Sequence, residues 1–181
     1  KLAVYAGREV DLEIRATRRL SEGANVIARR VGRAPSGAAE AYRERWVITA
    51  HIDAARGAPG ALDNATGVVT LLLLGELLAG YGGERMVELV AFNGEDNYAA
   101  PGEQLYVQEN GDLSAVALAI NIDGAGYRQG DTLFSLYGCD DTLARRLRAE
   151  FASNGLVEGP QWYASDHTIF VMAGRPAVAI T

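Results

Sequence analysis

Lysine is almost absent from this chain: the only one is Lys1, and every other basic residue is Arg. The formal net charge is −6. A chain this short of positive charge is poorly matched to a phosphate backbone, so nucleic acid is not expected as a partner. The densest basic group is Arg15, Arg18, Arg19, Arg29, Arg30 and Arg33. It has no interleaved aromatics and reads as a solvated face of the early strands. Cysteine is equally scarce. Cys139 stands alone, which excludes a disulfide framework and a cysteine-based zinc site, and it reads as a small core or turn residue. No apolar run approaches about 18 residues, so no membrane span is expected. No targeting segment is recognisable and the first residue is Lys1 rather than Met, which leaves the compartment unassigned. The oligomeric state is equally unassigned.

What is present is apolar: 49% of 181 residues, enough for the core of one α/β domain. Residues 8–17 alternate polar and apolar and predict a strand, and 24–32 predict a second. A turn-rich stretch covers 33–42, a β-branched strand 45–53, and a Gly/Pro-rich loop 55–64. Residues 64–80 predict a helix capped by Asp63 and Asn64 and stopped by Gly80. Its nearly continuous apolar content predicts that it is largely buried against a sheet. Strands follow at 85–93, 114–123, 131–138 and at the chain's end. Helices are predicted near 102–110, over 141–155 and over 165–174. The alternation predicts a three-layer αβα fold, its central sheet mixed but mostly parallel and covered by helices on both faces. The reading is one domain over 1–181. The last strand is not followed by the helix that a doubly wound sheet normally places there, so a C-terminal helix and any N-terminal extension are expected outside this sequence.

In such sheets, sites form beyond the carboxyl ends of the strands. The polar residues at those ends are His51 and Asp53, then Asp63 at the helix start, then the adjacent pair Glu95 and Asp96, then Asp123, and finally His167. Each alone has an ordinary reading as a cap, a turn or a loop histidine. Together they form a cluster of carboxylates with two histidines, and Arg56 is the only obvious cation nearby in sequence. Gathered carboxylates repel one another, so the set needs countercharge. One or two divalent metals would supply it, and imidazole with carboxylate suits zinc or a neighbouring transition ion.

The stretches "AHID", "GALDNATGVVTLL", "FNGEDN", "AINID" and "SDHTIF…GRPAVAI" resemble the co-catalytic zinc aminopeptidases of the M28 peptidase family. The resemblance covers about residues 24–181. It implies a metal-dependent exopeptidase acting on peptide substrates with two zinc ions per chain. His51, Asp63 and Asp123 would hold one ion; Asp63, Asp96 and His167 would hold the second, with Asp63 bridging. Glu95 would be the general base toward a metal-bridging water. Asp53 would accept from the far nitrogen of His51 and fix its tautomer. Two departures stand out. The family usually has Glu where this chain has Asp96, shorter by about 1.5 Å, and the second site is accordingly the weaker expectation. The family's Gly-Leu-x-Gly-Ser after the acid pair is replaced by "NYAAPGEQLY", which predicts a specialised rim. Glutaminyl-cyclase-like or carboxypeptidase-like chemistry and a non-catalytic scaffold are the alternatives. "DGAGYRQG" has the wrong spacing and the wrong following element for a dinucleotide loop. Trp162 and Tyr163 either pack the rim, line the pocket for the first side chain, or donate to the oxyanion through Tyr163.

Overall fold

The computed structural model describes residues 22–32, 44–97, 99–111 and 113–181, with Gly7, Glu9, Asp11, Glu13–Arg15, Thr17 and Leu20. Of the strand expected over 8–17, Arg8, Val10, Leu12 and Ala16 lie outside the described residues, and the remainder holds no strand. The turn-rich stretch 33–42 also lies outside them, as do Arg18, Arg19 and Arg33.

Among the described residues are seven strands and four α-helices. They are β1 (Val26–Arg30), β2 (Arg45–His51), α1 (Ala65–Leu77), β3 (Met86–Phe92), α2 (Pro101–Asn110), β4 (Val116–Ile122), β5 (Leu133–Tyr137), α3 (Asp141–Ser153), β6 (Val157–Glu158), α4 (His167–Met172) and β7 (Ala177–Ile180). The sheet order is β1-β3-β2-β4-β7-β5-β6. The pairs β2–β3, β2–β4, β4–β7 and β5–β6 are parallel, whereas β1–β3 and β5–β7 are antiparallel. The expected three-layer fold with a mixed, largely parallel sheet is therefore what the chain adopts.

The connections explain where the site lies. From β2 the chain crosses through α1 to β3 on one side, then returns through α2 to β4 on the other. Right-handed crossovers in opposite directions put the two helices on opposite faces and make β2 the point where the strand order reverses. On one face α2 and α4 cover Val47, Val90, Ala119 and Ala179 with Tyr106 and Phe170, whose rings meet at 6.1 Å. The Tyr106 hydroxyl donates to buried Glu88, which also accepts from Arg29 Nε at 2.5 Å. On the other face α3 packs Ala144, Leu147 and Phe151 against Phe134, Leu136 and Val178.

The expectation of a largely buried α1 is corrected. Gly67 and Leu71 are buried, but Val69, Leu72, Leu73 and Leu77 are 53%, 67%, 55% and 78% exposed. The helix is apolar around its circumference, so only the side turned to the sheet finds cover among the described residues.

The start of α1 is docked tightly. Asn64 is its cap, accepting from Gly67 N–H at 3.0 Å and donating through Nδ2 to the Ile122 carbonyl at 2.8 Å. The peptide bond between Asp63 and Asn64 is cis. A Cβ at Gly67 would meet the Asn64 side chain and the Ile122 carbonyl oxygen. Gly67→Ala is therefore expected to cost about 1–3 kcal/mol through overpacking. A lowered urea midpoint with unchanged slope is the measurement; an unchanged midpoint would show that the helix start can shift.

Candidate metal centre

His51 closes β2 and is 1% exposed. Its Nδ1–H donates to the main-chain carbonyl of Asp53 at 3.0 Å. A carbonyl only accepts, so Nδ1 carries the hydrogen and Nε2 is turned to the acids. Nε2 lies 3.0 Å from Asp63 Oδ1 and 3.3 Å from Asp123 Oδ1. The Asp53 carboxylate stands beside the same nitrogen, with Oδ1 3.6 Å from Nδ1, an ion-pair contact longer than a hydrogen bond. The main chain takes that hydrogen bond because the backbone leaving β2 brings its own carbonyl closer.

The Asp53 carboxylate also grips the neighbouring turn. Oδ1 accepts from the N–H groups of Gly94 at 2.8 Å and Glu95 at 3.2 Å. Oδ2 accepts from Asp96 N–H at 3.2 Å and Asn97 Nδ2 at 2.9 Å. This is the turn that carries the acid pair out of β3. Gly94 sits there at φ 113, and a Cβ on it would strike the ring of Pro101 at 2.5 Å. Glycine is required on both counts.

Asp123 is held by groups that sequence reading does not single out. Thr49 Oγ1 donates to Asn121 Oδ1 at 2.8 Å, Asn121 Nδ2 donates to Ser165 Oγ at 2.8 Å, and Ser165 Oγ donates to Asp123 Oδ2 at 2.6 Å. Every link has one possible direction, so the amide of Asn121 and the hydroxyl of Ser165 are both fixed. The signal in the sequence is the period of two: Thr49 shares a face with His51, and Asn121 with Asp123.

His167, placed by the sequence reading with the second metal, is fully buried and clasped by aromatics. Its ring lies 4.7 Å from Tyr137 and 4.9 Å from Trp162. Its Nε2–H donates to the Trp162 carbonyl at 2.8 Å, and its Nδ1 is buried without a partner. The Tyr137 hydroxyl fixes the same residue, donating to the Trp162 carbonyl at 2.6 Å and accepting from its N–H at 2.8 Å. Tyr163 is exposed and its hydroxyl donates to Gln161 Oε1 at 2.8 Å.

Two groups of potential ligands bring their atoms within 4.8 Å of one another. One is His51, Asp63 and Asp123; the other is His51, Glu95 and Asp96. His167 belongs to neither. Asp96 Oδ2 is buried with no hydrogen-bond partner. Asp166 and Glu103 add two more buried carboxyls, which face each other closely enough for one to donate to the other when protonated. Arg56, the candidate cation of the sequence, is exposed and enters none of the ion pairs found among the described residues.

The electrostatics follow. Burial pulls the His51 pKa down, but the hydrogen bond and charge of Asp123, aided by Asp166 and Glu95, raise it to about 10. Burial raises Glu95 to about 7; the charge of His51 opposes this, while Asp123, Asp96 and Glu103 add to it. Burial and the Glu103 carboxyl push Asp166 well above the usual carboxylate range. The gathered carboxyls outnumber the cationic groups that face them, and each raises the pKa of its neighbours. The residues fit a divalent metal: carboxylate oxygens, one oriented imidazole and an orphaned buried carboxylate oxygen converge.

A cavity of about 430 Å³ opens over these groups, walled by Leu62, Asp63, Glu95, Asp96, Asp123 and Trp162. Four of these six residues are acids, and Leu62 and Trp162 are apolar.

Comparisons with known proteins bear on the fold and the family. No curated protein matches the chain. Among solved structures, the zinc aminopeptidase BSAP from Bacillus subtilis is similar, with a TM-score of 0.70 and 21% identity over 86% of this chain and 39% of that one. An aminopeptidase from Aneurinibacillus sp. strain AM-1 gives 0.70 and 23% over 86% and 38%. A glutaminyl cyclase from an Acidobacteriales bacterium gives 0.62 and 18% over 86% and 57%. The chain thus spans less than two thirds of each of these proteins, and at such identities the likeness is one of fold. No helix among the described residues is long and apolar enough to cross a membrane. The model of peptidase family M28 matches residues 25–181, and the chain belongs to that family.

Proposed function

We propose that this chain carries the site of a zinc-dependent exopeptidase that removes N-terminal residues from peptides. The observation that supports this most is the convergence of His51, Asp63, Asp123, Glu95 and Asp96 within two groups that share one imidazole. In this reading His51, Asp63 and Asp123 hold one zinc. Asp63 and Asp96 hold a second, with Asp63 common to both. His167, whose Nδ1 is buried without a hydrogen-bond partner, would complete the second set with Asp63 and Asp96. Zinc so placed acidifies water and polarises a carbonyl.

The chain's own residues do the rest. Glu95 lines the cavity and has its pKa near 7, which suits a group that takes a proton from water and returns it to the leaving amine. Asp123 keeps one oxygen on Ser165 and turns the other to His51, so its orientation is fixed before any ion arrives. The acidic lining favours a substrate with a free amino terminus, and Leu62 and Trp162 offer apolar contact to its first side chain.

A glutaminyl-cyclase-like reaction on one zinc is the second reading. It is favoured by the short Asp96 arm and by His51 being the sole imidazole in both groups. The full-length protein is expected to hydrolyse a chromogenic aminoacyl substrate, to lose at least about a hundredfold of that rate in chelator, and to regain it with zinc. Elemental analysis should then find two zincs. One zinc with pyroglutamate formation would favour the cyclase; turnover indifferent to chelator would remove both readings.

A further inference from the structure

Trp162 reaches the cavity on a loop that lies past the end of the β5–β6 pairing. Leu133 and Phe134 of β5 pair with Val157 and Glu158 of β6, and Gly159 N–H extends this to the Phe134 carbonyl at 2.8 Å. Pro160 then has no N–H to give, so the ladder stops before Trp162. The geometry points to Tyr137 as the positioning residue that takes over: it holds Trp162 where the first side chain of a peptide meets the indole, and so sets selectivity for that side chain. Its consequence for substrates rests on the exopeptidase reading above; the placement of Trp162 does not.

Tyr137 is 1% exposed and shares a face of β5 with Ser135. Its hydroxyl donates to the Trp162 carbonyl at 2.6 Å and accepts from the Trp162 N–H at 2.8 Å. One oxygen thus satisfies both main-chain groups of a residue past the ladder. Side chains tie the preceding loop residues as well. Ser135 Oγ donates to the Pro160 carbonyl at 2.8 Å, and Gln161 Nε2 donates to the Leu136 carbonyl. The Tyr163 hydroxyl donates to Gln161 Oε1 at 2.8 Å, which fixes that amide with its nitrogen toward β5. Side chains therefore continue the β5 edge where the main chain cannot.

The indole is held in turn. Its ring lies 4.9 Å from that of His167, and the Tyr137 ring lies 4.7 Å from the same imidazole. His167 Nε2–H donates to the Trp162 carbonyl at 2.8 Å, the oxygen that Tyr137 also binds. Turning the main chain at 162 would break both bonds. With that main chain fixed, the indole is limited to its few rotamers. A wall that stays in place distinguishes side chains by how fully they cover it, and a wall that drifts does not.

Tyr137→Phe tests the assignment, since it keeps the ring against His167 and removes only the hydroxyl. The ratio of kcat/KM for a leucyl over an alanyl chromogenic substrate should fall about 3–30-fold, through the leucyl KM, with kcat within about threefold. Emission gives a readout independent of turnover. The chain has two tryptophans, and Trp46 lies on β2 beneath Arg85, away from the cavity lining. A Trp46→Phe background should leave turnover unchanged and make Trp162 the sole indole emitter. There Tyr137→Phe should red-shift the emission and raise the acrylamide quenching constant at least about twofold. An unchanged selectivity ratio or unchanged quenching would overturn the proposal. So would an equal loss on both substrates carried by kcat, which would place the hydroxyl in the chemistry. Ser135→Ala, which frees the Pro160 carbonyl upstream, serves if Tyr137→Phe does not fold. It should move ratio and quenching the same way by about twofold, and no movement in either would also overturn the proposal. Absence of turnover in wild type would sink the exopeptidase reading and leave quenching to judge whether Tyr137 holds Trp162.

Discussion

Glu95→Gln should hold as much zinc as wild type and lose about 10²–10⁴-fold in kcat, the span that general base catalysis supplies. The substitution keeps volume and shape and removes only the ability to take a proton. The residue's main-chain N–H, which is what Asp53 grips at 3.2 Å, is untouched. The turn should therefore stay in place, and Asp96 with it. Elemental analysis alongside steady-state kinetics separates the two quantities. Turnover near wild type would remove Glu95 as the base. Loss of zinc in parallel with activity would make it a ligand instead, a possibility raised by its place in the second group of convergent atoms.

The next largest effect divides the two histidines. His51→Ala should bind the first zinc more than about a hundredfold more weakly, since removing a ligand costs more than removing its outer partner. It should also reduce hydrolysis to background. His51 Nε2 lies 3.0 Å from Asp63 Oδ1 and 3.3 Å from Asp123 Oδ1, so its removal takes the imidazole from between the two acids. His167→Gln should keep the first zinc and lose the second: its glutamine can still donate to the Trp162 carbonyl, but the unpartnered Nδ1 is gone. Elemental analysis at the wild-type zinc content would take His167 out of the ligand set.

The layered fold and the edge on which the polar residues gather were legible because parallel strands deliver their carboxyl ends to one side. Strand limits read from apolar runs fell within a few residues, as with 45–53 against Arg45–His51. Three things were not legible. The two-residue β6 is too short to show a period. The exposure of α1 was misread because apolar content expresses a preference for burial without naming a neighbour that satisfies it. The partners of His51 and Asp123 depended on backbone direction and on register. Thr49 pairs with Asn121 across β2 and β4, and nothing local to either residue encodes that pairing.

His51, Asp96 and Asp123 stand at the ends of three adjacent strands, β2, β3 and β4, that are remote from one another in sequence. Two neighbouring strands alone would not carry the set. An ion that binds there is therefore a ligand of the assembled sheet and ignores the unfolded chain. Thermodynamic linkage then turns free zinc into a dial on unfolding: each tenfold rise above its dissociation constant adds about 1.4 kcal/mol. A melting curve read against zinc concentration would report the integrity of the whole central sheet through one small spectroscopically silent ion.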